Sequence, residues 1–142
     1  MKSLIIYNTK SGNTEELANK MKTLLEQNGH STDLYRDKDV RAQIKEQENF
    51  FEPYDLLCLG SCTHAMSAAR SFKKFLKKIP QEDLVSKKLI CFGTSGGPNM
   101  WKKACESIKK KVPGMQHIGD IGCVEKENDQ AIKEFETLMN TL

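Results

Sequence analysis

No apolar run in this chain approaches the roughly 18 residues that a membrane-spanning helix needs. The amino-terminal stretch MKSLIIYNTK is also too short in apolar residues for a secretory leader. A cytoplasmic protein without a membrane partner is the expectation. Cysteine is scarce and unpatterned. There are five, an odd number that internal disulfides cannot use up, and no C-x-x-C occurs; Cys58 and Cys62 stand four apart. The usual spacing of a structural zinc site or an iron–sulfur cluster is therefore missing. Cys58, Cys91 and Cys123 lie inside apolar runs, where a thiol acts as a small hydrophobe. His30, His64 and His117 are scattered, and no metal is expected.

The familiar phosphate loops are absent too. Neither G-x-x-x-x-G-K-[ST] nor G-x-G-x-x-G occurs. A C-x5-R phosphatase loop fails, because Ala68, Gly97 and Lys111 stand six residues after Cys62, Cys91 and Cys105. A phospho-acceptor receiver domain would want acidic residues after the first strand and an aspartate ending the third. Those places hold Asn8 and Gly60.

What the chain does contain is ordinary for one soluble domain of 142 residues, with 38% hydrophobic and 29% charged residues. The net charge is +3, unevenly spread: residues 1–66 carry 8 Lys+Arg against 10 Asp+Glu, and residues 67–142 carry 14 against 9. Paired lysines such as Lys73–Lys74, Lys77–Lys78 and Lys102–Lys103 could attract nucleic acid or an acidic protein. They also fit the solvated faces of amphipathic helices. No aromatics alternate with them as a single-strand groove would want, so nucleic acid is not expected as a partner.

Apolar runs and helical periodicity alternate along the chain. Ser3–Tyr7, Ser31–Tyr35, Asp55–Gly60, Lys88–Gly93 and Gln116–Val124 read as strands. Thr14–Asn28 has Leu17, Met21, Leu24 and Leu25 on one face, with Gly29 as a stop. Asp37–Gln47 is a polar helix. Phe72, Phe75, Leu76 and Ile79 mark a third, closed by Pro80; Trp101, Ala104, Cys105 and Ile108 mark a fourth; Ala131–Leu142 closes the chain. DLLCLG and LICFG are apolar without alternation, as strands buried on both sides should be. This is an α/β domain over residues 1–142, with a five-stranded parallel sheet between two helical layers.

In such sheets ligands sit beyond the carboxyl ends of the strands. Three segments occupy that edge: TKSGNT after the first strand, SCTHAMS after the third and TSGGPN after the fourth. All are rich in hydroxyls, amides or glycine. The connections at the other edge are NGHS, FFEPYD, VSKK and VPGMQ, which have nothing comparable. The first segment joins a strand to a helix, whose first N–H groups lack partners and carry partial positive charge. A phosphate suits that place. Thr9, Ser11 and Thr14 can donate hydroxyls, and Gly12 lets the chain curl tightly.

T-x-S-G-N-T resembles the phosphate loop of the flavodoxins. GSCTHA at 60–65 and CFGTSGG at 91–97 resemble that family's second and third loops, in the family's order and spacing. The resemblance covers nearly the whole chain and implies a flavodoxin-like sandwich with strand order 2-1-3-4-5. It implies bound flavin mononucleotide (FMN), which carries the chemistry while the protein tunes it. Thr9, Lys10, Ser11, Gly12, Asn13 and Thr14 would hold the phosphate, with Lys10 at a variable position. Ser61, Cys62, Thr63, His64, Ala65 and Met66 would flank one side of the flavin ring. Gly93, Thr94, Ser95, Gly96 and Gly97 would line its pyrimidine end, with Asn99 where the family has a tyrosine. No catalytic residue is expected.

The function implied is a monomeric carrier of one or two electrons between redox partner proteins. An FMN-dependent reductase of quinones or similar small acceptors with a nicotinamide donor is an alternative on the same fold. A flavin-free binding module that uses its lysines is another. Flavodoxins are acidic around the cofactor, whereas this chain has a pI near 8.5 and few acidic residues near the three loops, so an acidic docking face on the partner is expected. His64 replaces a large aromatic and can stack as an imidazole. Trp101 could cover the ring, but its register with Ala104, Cys105 and Ile108 is that of a core residue. Ala65 replaces a glycine whose peptide, in the family, turns over on one-electron reduction. Alanine resists the positive φ this needs. The one-electron-reduced flavin should therefore accumulate less than in typical flavodoxins. A large fraction of that state during stepwise reduction, followed by visible absorption, would contradict the expectation.

Overall fold

The computed structural model describes residues 1–142. Six strands and five helices alternate: β1 (Lys2–Asn8), α1 (Asn13–Gln27), β2 (Ser31–Arg36), α2 (Asp37–Glu46), β3 (Leu56–His64), β4 (Ser67–Ala68), α3 (Arg70–Lys77), β5 (Lys88–Ser95), α4 (Trp101–Lys111), β6 (Gln116–Val124) and α5 (Asp129–Met139). The main sheet is parallel, in the order β2-β1-β3-β5-β6. That is the expected order of the five long strands. The addition is β4, two residues that pair antiparallel with the end of β3.

Two other differences matter. The ladder of β3 continues to His64 and that of β5 to Ser95, beyond the expected ends at Gly60 and Gly93. Small polar residues can extend a strand when their neighbours supply the hydrogen bonds, and Ser61 pairs with both Asn8 and Gly93. Helix boundaries elsewhere differ by one to three residues, as terminal turns do.

Alternation along each strand divides the core. Leu4, Ile6, Leu57, Leu59, Leu89 and Cys91 face α2, α3 and α4. Ile5, Tyr7, Leu56, Cys58, Ile90 and Phe92 face α1 and α5. Both sets are fully or nearly fully buried, which explains the unbroken apolar runs. At the amino edge of the strands, Phe50, Phe51 and Tyr54 form an aromatic cluster with Tyr35. The Tyr54 hydroxyl donates to Asp33 at 2.6 Å, and Lys87 Nζ donates to the Tyr54 carbonyl at 2.7 Å. The FFEPYD connection thus seals that end of the molecule.

Two glycines side by side shape the opposite end. Gly93 on β5 and Gly122 on β6 are register partners, and Trp101 packs across them. A Cβ on Gly122 would lie 2.1 Å from the indole, and one on Gly93 would lie 2.9 Å from the Trp101 carbonyl oxygen. Trp101 is therefore a packing residue that seats the start of α4 on the sheet. Gly122→Ala should destabilise the protein by about 1–3 kcal/mol through overpacking. Gly96→Ala, where a Cβ meets nothing within 4 Å, should be near neutral. Urea unfolding monitored by Trp101 fluorescence measures both. Equal midpoints would refute the packing role.

Candidate functional site

The ends of β1, β3 and β5 open onto a cavity of about 410 Å³. Its first wall is Lys10, Ser11 and Asn13; its second is Cys62, Thr63 and His64; its third is Thr94, Ser95 and Gly96, with Glu125 beyond β6. All three expected loops contribute.

The remaining expected residues sit around this cavity rather than in its wall. The Thr9 hydroxyl accepts from the Gly12 N–H at 3.0 Å, and Thr14 and Thr94 share a buried hydroxyl–hydroxyl bond of 2.8 Å. These two threonines brace the first loop from behind. Gly12 adopts φ 89°, which a side chain would strain. Ser61 is buried; it donates to the Cys62 carbonyl at 2.8 Å and accepts from the Ala69 N–H at 3.0 Å. Gly93 lies under Trp101. Ser95 Oγ donates to the Gly97 carbonyl at 2.7 Å, which folds the third loop back on itself. Asn99 adopts φ 63° as that loop turns into α4.

Ala65 and Met66 form the turn between β3 and β4, with His64 paired to Ser67. Both have positive φ, 49° and 62°, so Ala65 already holds the left-handed conformation that alanine was expected to resist, and the anchored hairpin imposes it. Positive φ at both central residues is the type I′ hairpin, which favours Asn-Gly. The sequence carries neither residue, so the hairpin is not legible from it. Lys73 Nζ on Ser67 Oγ (2.8 Å) and the Ala68 N–H on Ser107 Oγ (2.9 Å) anchor it. Met66 protrudes at its tip.

Beneath the first loop lies a polar network that the residue pattern does not reveal. Asn8 donates to Asp37 at 2.9 Å and to Ser71 at 3.2 Å, and its carbonyl oxygen accepts from the Cys62 thiol at 3.7 Å. Arg36 Nη2 donates to the Thr9 carbonyl at 2.8 Å, placing a guanidinium behind the loop. The only signal for Glu125 was its place after the last long strand on the same edge.

The electrostatics suit an anion at the start of α1. No side chain caps this helix, so its first N–H groups face outward for an acceptor. Its two first-turn carboxylates are engaged elsewhere. Glu15 accepts from Tyr7 at 2.7 Å, and Glu16 lies 4.0 Å from Lys20 and 3.9 Å from Lys126. Burial, followed by the Glu15 bond, pushes the Tyr7 phenol up to about 12, so it stays a donor at neutral pH. Within the second loop, the Thr63 hydroxyl is buried without a partner. An uncapped helix start, Ser11 and Asn13 beside it, and an orphaned hydroxyl across the cavity fit a phosphorylated ligand with polar ring edges.

A profile of the flavodoxin domain family matches residues 4–125. The fold is shared with solved flavodoxins at low sequence identity. One from the domain Archaea has a TM-score of 0.79 at 20% identity, over 97% of this chain and 93% of that one. Flavodoxin 2 from Bacillus cereus, in its oxidised form, has 0.78 at 21% over the whole of both chains. The two-electron-reduced flavodoxin of Megasphaera elsdenii has 0.73 at 21% over 99% of each. No curated protein matches the sequence.

The Thr14–Thr94 bond ties the first loop to the third. Thr14→Val should cost about 1–3 kcal/mol, because it strands a buried hydroxyl. Adding Thr94→Val should recover most of that loss. A double-mutant cycle by urea unfolding measures the coupling; strictly additive losses would contradict it.

Proposed function

Since the chain belongs to the flavodoxin domain family, we propose that it binds FMN in the three-loop cavity and carries electrons between redox partner proteins. The observation that carries this is the convergence of all three loops on one cavity beside an uncapped helix start. The flavin, when bound, supplies the redox chemistry in one- or two-electron steps.

The chain's own residues then have distinct tasks. The α1 N–H groups, Ser11 and Asn13 hold the phosphate, and Lys10 adds a positive charge at the same wall. Arg36 and Thr9 fix the loop's shape. The Thr63 hydroxyl gains the partner it lacks. His64 with the Ala65–Met66 turn borders the ring on one side, and Thr94, Ser95 and Gly96 border its polar edge. Glu125 places a carboxylate at the cavity wall, which works against added negative charge on reduction.

The partner's docking face is proposed to be acidic. Helices α3 and α4 lie on one side of the sheet, and each starts next to a cavity loop. α3 carries Arg70, Lys73, Lys74 and Lys77 with no carboxylate. The single acid of α4, Glu106, lies 3.7 Å from Lys103. Met66 adds an exposed apolar contact at the rim. No helix is long and apolar enough to cross a membrane.

The test is titration of flavin-stripped protein with FMN and with riboflavin, followed by quenching of flavin fluorescence. FMN should bind at least about 100-fold more tightly, since the phosphate adds several charge-assisted bonds. Equal binding of the two would remove the phosphate seat, and no binding of either would overturn the assignment. In the loaded protein, electron transfer to a physiological partner should slow with added salt and with Lys74→Glu, but not with Lys133→Glu on α5. Oxidation of a nicotinamide by the isolated protein with a quinone present would favour the reductase instead.

A further inference from the structure

Cys91 is far in sequence from His117 and Asp120, but the three meet on the sheet, away from the three-loop cavity. Their sulfur, imidazole nitrogen and carboxylate oxygen atoms lie within 4.8 Å of one another. We propose that these three side chains bind one thiophilic divalent metal ion, of the zinc type, between the outermost strand and α4.

A break in register builds the cluster. His117 stands beside Leu89 on β5, and Gly119 stands beside Ile90, so Ile118 is an extra residue in β6. Residues three apart on a regular strand face opposite sides of a sheet. The bulge cancels that parity and turns His117 onto the face that Asp120 already occupies. Asp120 is the register partner of Cys91, and Cys91 belongs to the α3/α4 core.

The donor set is chemically coherent. Thiolate, imidazole and carboxylate are the zinc ligands of proteins, and a tetrahedral ion with bonds of about 2.0–2.3 Å holds them roughly 3.3–3.6 Å apart. His117 Nε2 and Asp120 Oδ1 are 2.8 Å apart. They need to open by about half an ångström, and the sulfur, within 4.8 Å of both, needs to close by no more than roughly 1–1.5 Å to reach such bond lengths. Cys91 is fully buried at the back of the cluster, whereas the His117 and Asp120 side chains are 33% and 26% exposed. The ion therefore has a route from solvent, and water is its fourth ligand. Cys62, Cys105 and Cys123 each donate to an oxygen; the Cys91 thiol has no such partner and is free to ligate. Burial, then Cys105 and Asp120, hold the Cys91 thiol well above its ordinary pKa, with Lys109 of α4 acting against them, so the ion must displace the thiol proton for the sulfur to ligate.

No redox change is involved. The Cys91 S–H bond breaks, its proton passes to water, and a sulfur–metal bond forms. Imidazole and carboxylate replace two of the ion's waters, and the His117–Asp120 hydrogen bond is lost. An exposed His–Asp pair alone contributes little to stability and requires neither the bulge nor a buried thiol beneath it.

The test uses the full-length protein with its flavin, freed of metal by a chelator and then dialysed. Cobalt(II) is titrated while thiolate-to-metal charge transfer is read as a difference spectrum over the flavin bands. Zinc binding is measured by calorimetry and by the shift in unfolding temperature. One cobalt should bind per chain, zinc should displace it, and zinc should raise the unfolding temperature. Cys91→Ser should abolish the charge-transfer band; His117→Gln and Asp120→Asn should each weaken binding at least ten-fold. Cys62→Ser and His30→Gln should leave binding unchanged. If Cys91→Ser does not fold, the two partly exposed variants decide. Wild-type affinity in both, a band that disappears with Cys62 instead, or no saturable binding would overturn the site.

Discussion

A strand buried on both faces must satisfy its backbone through its neighbours, and that constraint ends abruptly at the carboxyl edge of the sheet. Past Asn8, Cys62 and Ser95 the main parallel ladder stops, and every donor and acceptor needs another partner. The chain supplies several locally: Thr9 for the Gly12 N–H, Ser61 for Ala69, Ser107 for Ala68, and Thr14 for Thr94. Groups left without such a partner, the first turn of α1 and the Thr63 hydroxyl, lie at the same edge as the cavity. The candidate site is thus what an incomplete internal accounting leaves over. Its polarity follows from the sheet that positions it.

The sheet was legible because its strands are apolar without alternation, a pattern that only two-sided burial explains. The three loops were legible because hydroxyls and glycine cluster at one edge and not the other. What the pattern could not give was the division of labour among similar residues. Thr9 and Thr14 have the chemistry of ligand donors, and each also carries a bond inside the protein, Thr9 to the Gly12 N–H and Thr14 to Thr94. Gly93 belongs to a loop expected to line the cavity, yet it lies under Trp101. Residue type states what a side chain can donate, and only packing states to whom. Asn8, Arg36 and Glu125 were missed for the same reason. Their roles depend on partners such as Asp37, Thr9 and Ser95 that only the fold brings together.

Strand parity imposes a second limit on what a sequence displays. A period of two assigns His117 and Asp120 to opposite faces, and the scattered histidines then suggest no common site. The extra residue Ile118 reverses that assignment for His117, before the bulge, relative to Asp120 after it. Chain spacing is a sound guide to metal ligands on a regular helix or in a short knuckle. It loses that power wherever a bulge resets the register and the remaining ligand comes from the neighbouring strand.

The rim hairpin shows how strain and anchoring are balanced at the functional edge. Two successive L-residues, Ala65 and Met66, hold left-handed conformations at a cost of about 1–2 kcal/mol each. Nothing in their side chains compensates: one is a methyl group and the other projects into solvent. The compensation lies one residue outward, in the bonds from Lys73 to Ser67 and from Ala68 to Ser107, and in the Ser61 bridge to Ala69. These bonds tie the turn to β3, α3 and α4 together. A turn held this way has little freedom to exchange one peptide orientation for another. A glycine there would lower the strain and also loosen the hairpin. The choice of alanine therefore favours a fixed border to the cavity.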